Sequence, residues 1–304
     1  MTAKSASLPP LHLALAIAVA AVWGSNFVVI KVALEHLPPL LLATLRFAIA
    51  FLPAAFFLKR PAVPWRHLAA YGLLIGAGQF GVLYIAMERS ISPGLASLVI
   101  QTQVFFTIGL SMWLMAERVR PFQWLALALA GGGLLVIVLR GDNSATPLGL
   151  VLVLVAAACW ASGNLVAKAG GKVNMLAYVV WASLFSFPPL LLLSLVFEGW
   201  PAMRTGLADS TWLTWAAVLY QSVGNSLFGY ASWGWLLARH PAATISPTAL
   251  LVPVFGMSTS ALLLSESLPA WKLIAAALIM SGLMLNLAWP RVQARLLRKK
   301  APQG

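Results

Sequence analysis

The chain has 304 residues, of which 61% are hydrophobic and only 9% are charged, and its formal net charge is +13. Water-soluble domains carry roughly a quarter charged residues, so this composition excludes an ordinary soluble protein. The one cysteine, Cys159, excludes an intramolecular disulfide, and no Cys and His residues have the spacing of a metal site.

Ten apolar runs follow one another along the chain, each close to the ~20 residues that cross ~30 Å of hydrocarbon. They cover residues 11–33, 39–58, 68–87, 93–115, 122–139, 147–167, 175–197, 212–237, 242–264 and 270–289. Because nine runs follow the first, we interpret the first run as a span and not as a cleaved secretion signal. The sequence therefore predicts an all-α integral membrane protein with ten transmembrane helices.

The basic residues predict how these helices are oriented. If the N-terminus is cytoplasmic, 14 of the 20 Lys and Arg residues lie in cytoplasmic segments and 5 in outer segments. This positive-inside bias places both termini in the cytoplasm. The basic tail RVQARLLRKK is then an anchor next to anionic lipid, and the net charge does not indicate a nucleic-acid partner.

Two echoes in the sequence indicate an internal repeat. WGSNFVVIK at residues 23–31 returns as WASGNLVAK at 160–168, and residues 92–118 align without gaps to 241–267, which places Glu117 on Glu266. Five spans separate the halves, an odd number, so the second half enters the membrane upside down. We predict residues 1–143 as the first five-helix repeat and 144–304 as the second, inverted one with the basic cytoplasmic tail.

Six segments in order carry a resemblance to a known family. They are VWGSNFVVIKVAL (22–34), LRFAIAF (45–51), GLASLVIQTQVFFTI (94–108), AER (116–118), WASGNLVAK (160–168) and LLVPVFG (250–256). The chain resembles the drug/metabolite transporter superfamily in its EamA-type ten-helix branch, and within it the bacterial exporters of O-acetylserine and cysteine. The resemblance implies a secondary transporter of the bacterial inner membrane that exports small zwitterionic metabolites by alternating access, without a cofactor.

The acidic residues argue against an enzyme. All seven lie in loops or at span ends, whereas a paired-carboxylate hydrolase needs two acids at one cleft. No catalytic or metal-binding residue is predicted. The same placement leaves no buried Asp or Glu relay for proton antiport.

Arg46 is the one charged residue deep inside a predicted span, because Lys31 and Lys272 lie only two residues from the ends of theirs. An ionisable group within the membrane is a functional hypothesis, and a guanidinium can bind a substrate carboxylate with two hydrogen bonds. The alternative is a structural arginine that snorkels outward or caps another helix. Asn26 is predicted at nearly the same depth as Arg46.

Amides in several spans predict either a polar passage or hydrogen bonds between helices. The candidates are Asn26, Gln79, Gln101, Asn164, Gln221 and Asn225. Gln101 and Gln103 point about 200° apart on their helix, so one bonds a neighbour if the other lines a cavity.

Aromatic and proline residues complete the candidate site. Trp23 and Trp160 either wall the cavity or pack in the core. Pro247 and Pro253 interrupt the ninth span and are either hinges or tolerated kinks.

The sequence leaves more than one cargo open. The first hypothesis is a small zwitterionic amino-acid metabolite; the second is an amphipathic or aromatic compound, and a lipid flippase is a third. The expected partners are the substrate, the lipid bilayer and, through faces of small residues, a second copy in a homodimer.

Overall fold

The computed structural model of the protein describes residues 8–115, 121–140, 142, 144–171 and 173–300. All ten predicted runs are helical, and the described residues contain no β-strand, only an isolated bridge between Ile91 and Ala145. We number the ten helical segments as spans 1 to 10. Glu117 lies outside the described residues.

Spans 1 to 5 make up the first half of the chain. Their bounds are Pro10–Ala33, Pro39–Ala55, Trp65–Arg89, 93–115 and Pro121–Leu139. Four of these helices begin with a proline and Pro64 immediately precedes the other, positions where a missing N–H costs no helical hydrogen bond.

Spans 6 to 10 make up the second half. Their bounds are Pro147–Ala169, Met175–Phe197, 212–239, 242–264 and Ala270–Lys300. A short helix that the sequence did not predict, Gly199–Asp209, joins spans 7 and 8. The last helix runs past the predicted end of span 10 and into the basic tail.

Eight of these helices are long and apolar enough to cross a membrane. Span 2 is apolar but shorter, with 17 residues. Span 8 carries Gln221, Ser222, Asn225 and Ser226 in its middle, and all four side chains are buried. Its polar residues therefore face protein, which is where polar groups in a transmembrane helix are tolerated.

The helices depart from α geometry at matching places in the two halves. Spans 3 and 8 each contain a nine-residue π-helical segment, Leu73–Gly81 and Tyr220–Phe228. Spans 4 and 9 each contain a 3₁₀ turn, Ile100–Thr102 and Ser246–Leu250. Each pair is separated by five spans, as the inverted repeat requires.

Packing between the halves follows the same symmetry. Span 1 packs on span 9 and on the π segment of span 8, while span 6 packs on span 4 and on the π segment of span 3. Span 2 packs on span 7, and span 5 on span 10. Exchanging every span for the span five places away turns the contacts of span 1 into those of span 6. The same exchange leaves the contact of spans 2 and 7 and that of spans 5 and 10 unchanged.

Glycines let neighbouring helices approach closely where they face another helix, but not every glycine does so. A Cβ atom added at Gly24 in span 1 would lie 2.5 Å from the carbonyl oxygen of Val252 in span 9. Of the three consecutive glycines in span 5, only Gly133 meets another helix, and Gly131 and Gly132 border open space.

Candidate functional site

The candidate site is built around Arg46 in the middle of span 2, whose side chain is 1% exposed. The start of this helix is held by Glu198 at the end of span 7. Its carboxylate accepts hydrogen bonds from the backbone N–H groups of Leu40 (2.6 Å) and Leu41 (3.1 Å), which have no helical partner at a helix N-terminus. The two halves are thus joined directly at the start of the helix that presents Arg46.

The guanidinium of Arg46 contacts neutral groups only. Nη1 donates to the hydroxyl of Tyr84 (2.8 Å) and Nη2 to that of Ser226 (3.3 Å). The guanidinium carbon lies 3.6 Å from the centre of the Phe80 ring and 5.3 Å from that of Phe47, which gives cation–π contacts. Within the described chain, no acidic side chain pairs with Arg46, and its Nε has no hydrogen-bond partner.

A second layer of hydrogen bonds joins this site to span 8. The Tyr84 hydroxyl donates to Gln221 Oε1, while Gln221 Nε2 is buried without a partner. The one proton of the Ser222 hydroxyl is shared between the backbone oxygen of Arg46 (3.0 Å) and that of Val218 (2.8 Å). The charged residue of the first half is therefore held by the π segment of the second half.

A small cavity adjoins the guanidinium. Its volume of about 10 Å³ is room for roughly one water molecule. Its lining residues are Arg46, Phe47, Tyr71, Ile75, Phe80, Val179, Ala182, Ser183, Ser186, Ser226 and Tyr230. A metabolite fits here only if the surrounding spans separate.

Among the residues predicted from sequence as the site, Arg46 alone lines this cavity, and Gln221 is linked to the Arg46 guanidinium through Tyr84. Three lining residues were not predicted from the sequence: Tyr71, Phe80 and Ser226. These residue types are ordinary in transmembrane helices, so nothing in the local pattern distinguishes them.

Trp23 and Asn225 are brought together at the contact between spans 1 and 8. The indole Nε1 of Trp23 donates to the backbone oxygen of Asn225 (3.1 Å), and its ring lies 5.8 Å from that of Tyr230, a cavity residue. Asn26, one helical turn further on, is 3% exposed and its Oδ1 has no partner. Its side chain makes no hydrogen bond to Arg46.

The remaining amides lie on spans 3, 4 and 6. Gln79 lies in the π segment of span 3, and its buried Oε1 has no partner. Asn164 Nδ2 donates to Gln103 Oε1 (3.2 Å), which joins spans 6 and 4. Gln101 is 8% exposed, and in the described part of the chain its side chain makes no hydrogen bond.

Trp160 and the two prolines lie away from the cavity lining. Trp160 is partly buried and packs against the hydrophobic core. Pro247 lies in the 3₁₀ turn of span 9, and Pro253 is buried near the start of the α-helix that follows, Leu251–Leu264. The structure thus places one proline in the 3₁₀ turn of this span and the other just after it.

The sequence model of the EamA-like transporter family matches residues 11–139 and 147–288. The chain belongs to the EamA-like transporter family. A Salmonella typhimurium LT2 protein named a probable amino-acid metabolite efflux pump is 42% identical over 92% of this chain and 95% of its own length. An Escherichia coli K12 protein of the same name is 40% identical over 90% of this chain and 93% of its own.

A crystal structure of another protein has the same fold as this EamA-family chain. It covers 93% of this chain and 98% of its own, with a TM-score of 0.63 at 18% sequence identity. Membership of a transporter family makes Arg46 and its cavity part of a solute-transport protein. Among the described residues, no group of three His, Cys, Asp or Glu residues is arranged to hold a metal ion.

Proposed function

We propose that this EamA-family protein exports small amino-acid metabolites and that Arg46 binds their carboxylate. The observation that carries the proposal is a buried guanidinium, 1% exposed, with an unpartnered Nε and no acidic partner among the described residues. A buried charge without a counter-ion is costly, and a substrate carboxylate would neutralise it through charge-assisted hydrogen bonds.

The cavity also offers groups for a substrate ammonium. Ser183 Oγ donates to the backbone oxygen of Val179 (2.9 Å), and Ser186 Oγ donates to that of Gly72 (2.9 Å). Because both hydroxyl protons are already used, the lone pairs of these oxygens remain to accept hydrogen bonds. A zwitterion with its carboxylate at Arg46 and its ammonium at these serines fits this distribution of charge.

Export requires the cavity to open alternately to the two sides. The two halves meet at the cavity, because Arg46 and Phe80 come from the first half and Ser183 and Tyr230 from the second. Rocking of one half against the other would open the site to one side at a time. The division into repeats at residues 1–143 and 144–304 belongs to this proposal, as do hinge roles for Pro247 and Pro253.

A second cargo, an amphipathic or aromatic compound, is favoured by one observation. Phe47, Tyr71, Phe80 and Tyr230 surround the guanidinium in the cavity lining. Their rings would contact an apolar or aromatic side chain of the substrate. Trp23 and Trp160, which the sequence suggested for this role, are not part of the lining.

The proposed setting is the bacterial inner membrane, with both termini cytoplasmic. The bacterial relatives and the distribution of basic residues support it. Its partners are then a small-molecule substrate and the lipid bilayer. We propose transport without catalysis, because the site has one charged group and no acid pair in the described chain.

The test is counterflow of labelled cysteine and O-acetylserine in proteoliposomes, with Arg46→Gln and Arg46→Lys. Loss of the charged contact should raise KM by roughly 10- to 100-fold, which corresponds to ~1.5–3 kcal/mol. The Arg46→Lys variant should recover only part of the substrate affinity, because the lysine ammonium cannot bind a carboxylate with two parallel bonds. Thr44→Val is the matched control, since Thr44 is buried in the same helix but bonds only to Leu40.

Competition with modified substrates identifies the recognised group. Methyl esters of the same amino acids lack the carboxylate and should not compete for wild-type transport, whereas the free acids should. Equal competition by esters and acids, or unchanged transport in Arg46→Gln, would refute the assignment. Preferential exchange of aromatic compounds would favour the second cargo.

A further inference from the structure

We infer that the Tyr84 and Ser226 hydroxyls occupy the hydrogen bonds of Arg46 that a substrate carboxylate would otherwise accept. When the carboxylate binds, it displaces these hydroxyls from the guanidinium, and the π segment of span 8 is then less firmly held. The inference rests on the proposed function, because it requires a carboxylate at Arg46. It assigns Tyr84 and Ser226 as positioning residues. It also explains how substrate binding at Arg46 in the first half would alter the π segment of span 8 in the second half.

The π segment Tyr220–Phe228 is fastened to Arg46 at two points. Ser226 Oγ accepts a hydrogen bond from Arg46 Nη2 and donates one to the backbone oxygen of Gln221 (3.1 Å), five residues earlier. Ser222 Oγ donates to the backbone oxygen of Arg46. Since π-helical turns are rare and frequently found at functional sites, contacts that hold one in place matter to its persistence.

Tyr84 provides the third connection between Arg46 and the same segment. Its hydroxyl accepts from Arg46 Nη1 and donates to Gln221 Oε1. Tyr84 is fully buried, so water does not replace either partner. Movement of the guanidinium therefore changes the hydrogen bonding of Ser226 directly and removes the link from Arg46 through Tyr84 to Gln221.

A substrate carboxylate would compete successfully for the guanidinium. Hydrogen bonds between ionised groups are about twice as strong as those to neutral hydroxyls, and a carboxylate accepts two parallel bonds from the guanidinium fork. Once Arg46 turns to the carboxylate, Ser226 loses its donor and Tyr84 keeps only Gln221. The π segment then loses its direct side-chain bond to Arg46 and its link to Arg46 through Tyr84, and only Ser222 still bonds to the backbone of span 2.

The other π segment, Leu73–Gly81, meets Arg46 through the ring of Phe80, and in the described chain it makes no hydrogen bond to the guanidinium. Span 7 contacts the residue just before it, through the hydrogen bond from Ser186 Oγ to the backbone oxygen of Gly72. The Trp-to-Lys echo of spans 1 and 6 aligns Arg46 with Ser183, a neutral residue. Of the two π segments, the one in span 8 is therefore the one whose hydrogen bonds depend on the position of the guanidinium.

The experiment uses the purified full-length protein with L-cysteine and O-acetyl-L-serine as probes. Tyr84→Phe and Ser226→Ala each remove one hydroxyl that competes with substrate. We expect calorimetry to show binding about threefold to tenfold tighter than in wild type, the effect of one lost hydrogen bond in the free protein. Tyr178→Phe is the control, because its hydroxyl bonds to His67 and does not line the cavity.

Hydrogen–deuterium exchange of residues 220–228 gives the second readout. In wild type, exchange in this segment should rise when L-cysteine is added and stay unchanged with its methyl ester. In Tyr84→Phe and Ser226→Ala, exchange should be raised before substrate is added. If either variant does not fold, the wild-type comparison with and without L-cysteine decides the question.

The outcomes separate this inference from the proposed function. Carboxylate-dependent binding in wild type, with exchange in residues 220–228 unmoved or with both variants binding no more tightly, refutes the inference and leaves the proposed function standing. An absence of carboxylate-dependent binding in wild type refutes both. Tighter binding in the variants together with raised exchange supports the inference.

Discussion

Trp23 of span 1 donates its indole hydrogen bond to the backbone oxygen of Asn225, a residue of the π segment of span 8. Next to this contact, Ser25 and Tyr220 share a hydrogen bond of 2.7 Å between their hydroxyl oxygens. The WGSN sequence thus forms the surface through which span 1 bonds to the π segment of span 8. Its polar side chains are kept because the partner is another helix and not lipid.

Replacing Trp23 with phenylalanine removes the hydrogen bond to the backbone oxygen of Asn225 while keeping an aromatic ring. The backbone oxygen of Asn225 loses a hydrogen bond in a buried region, so we expect destabilisation by about 1–2 kcal/mol. Thermal unfolding of the purified protein measures it. Trp113→Phe is the control, because Trp113 is 80% exposed. Equal effects of the two substitutions would contradict the structural role of the Trp23 contact.

Gly24→Ala tests the close approach of spans 1 and 9. The new Cβ atom would lie 2.5 Å from the Val252 oxygen and 2.6 Å from Phe255 Cβ, so the two helices must move apart. Overpacking of this kind costs about 1–3 kcal/mol. Gly132→Ala should be neutral or slightly stabilising, because nothing lies within 4 Å of that position and alanine favours the helix. A comparison of the two melting temperatures decides the matter.

Several features of the fold were predictable because they depend on local pattern. Hydropathy located all ten helical segments, and the echo of WGSN in WASGN predicted an inverted arrangement that recurs in the matching π segments and 3₁₀ turns. The short helix Gly199–Asp209 was missed, since it is neither long nor uniformly apolar.

The site was predictable only in part. A lone arginine in an apolar run indicated Arg46, because its desolvation makes it conspicuous. Its partners Tyr84 and Ser226 lie 38 and 180 residues away along the chain, and no local signal connects them. The π segments were also missed, because an i→i+5 turn has no distinct hydrophobic period.

Glu266→Gln tests an ion-paired loop residue that holds spans 4 and 10 in place. Burial alone would raise the pKa of Glu266, but hydrogen bonds from Ser260, Ser92, the N–H of Gly94 and Lys272 outweigh it and lower the pKa. Lys272 Nζ lies 3.1 Å from its carboxylate and is 1% exposed. We expect the glutamine variant to unfold at a lower temperature at pH 7.

The effect should depend on pH in one direction. Because the folded-state pKa of Glu266 lies below the ordinary carboxyl value of 4.5, its ionised form stabilises the fold above that pH. The stabilisation is lost as pH falls through the lowered pKa, so melting curves of wild type and variant should converge there. Glu35→Gln, at an exposed carboxylate, is the control. A gap between wild type and Glu266→Gln that widens on acidification would contradict this account.

Substitutions of Gln101 and Gln103 should have different effects, one on transport and the other on stability. Gln103→Met leaves the Asn164 amide without its acceptor between spans 6 and 4, so we expect destabilisation by about 1 kcal/mol. Gln101→Met removes no hydrogen bond among the described residues, so its melting temperature should match wild type. If Gln101 lines the passage, as its position opposite Gln103 predicts, counterflow of cysteine should instead show a raised KM. The reverse pattern, with stability lost in Gln101→Met and transport in Gln103→Met, would exchange the two roles.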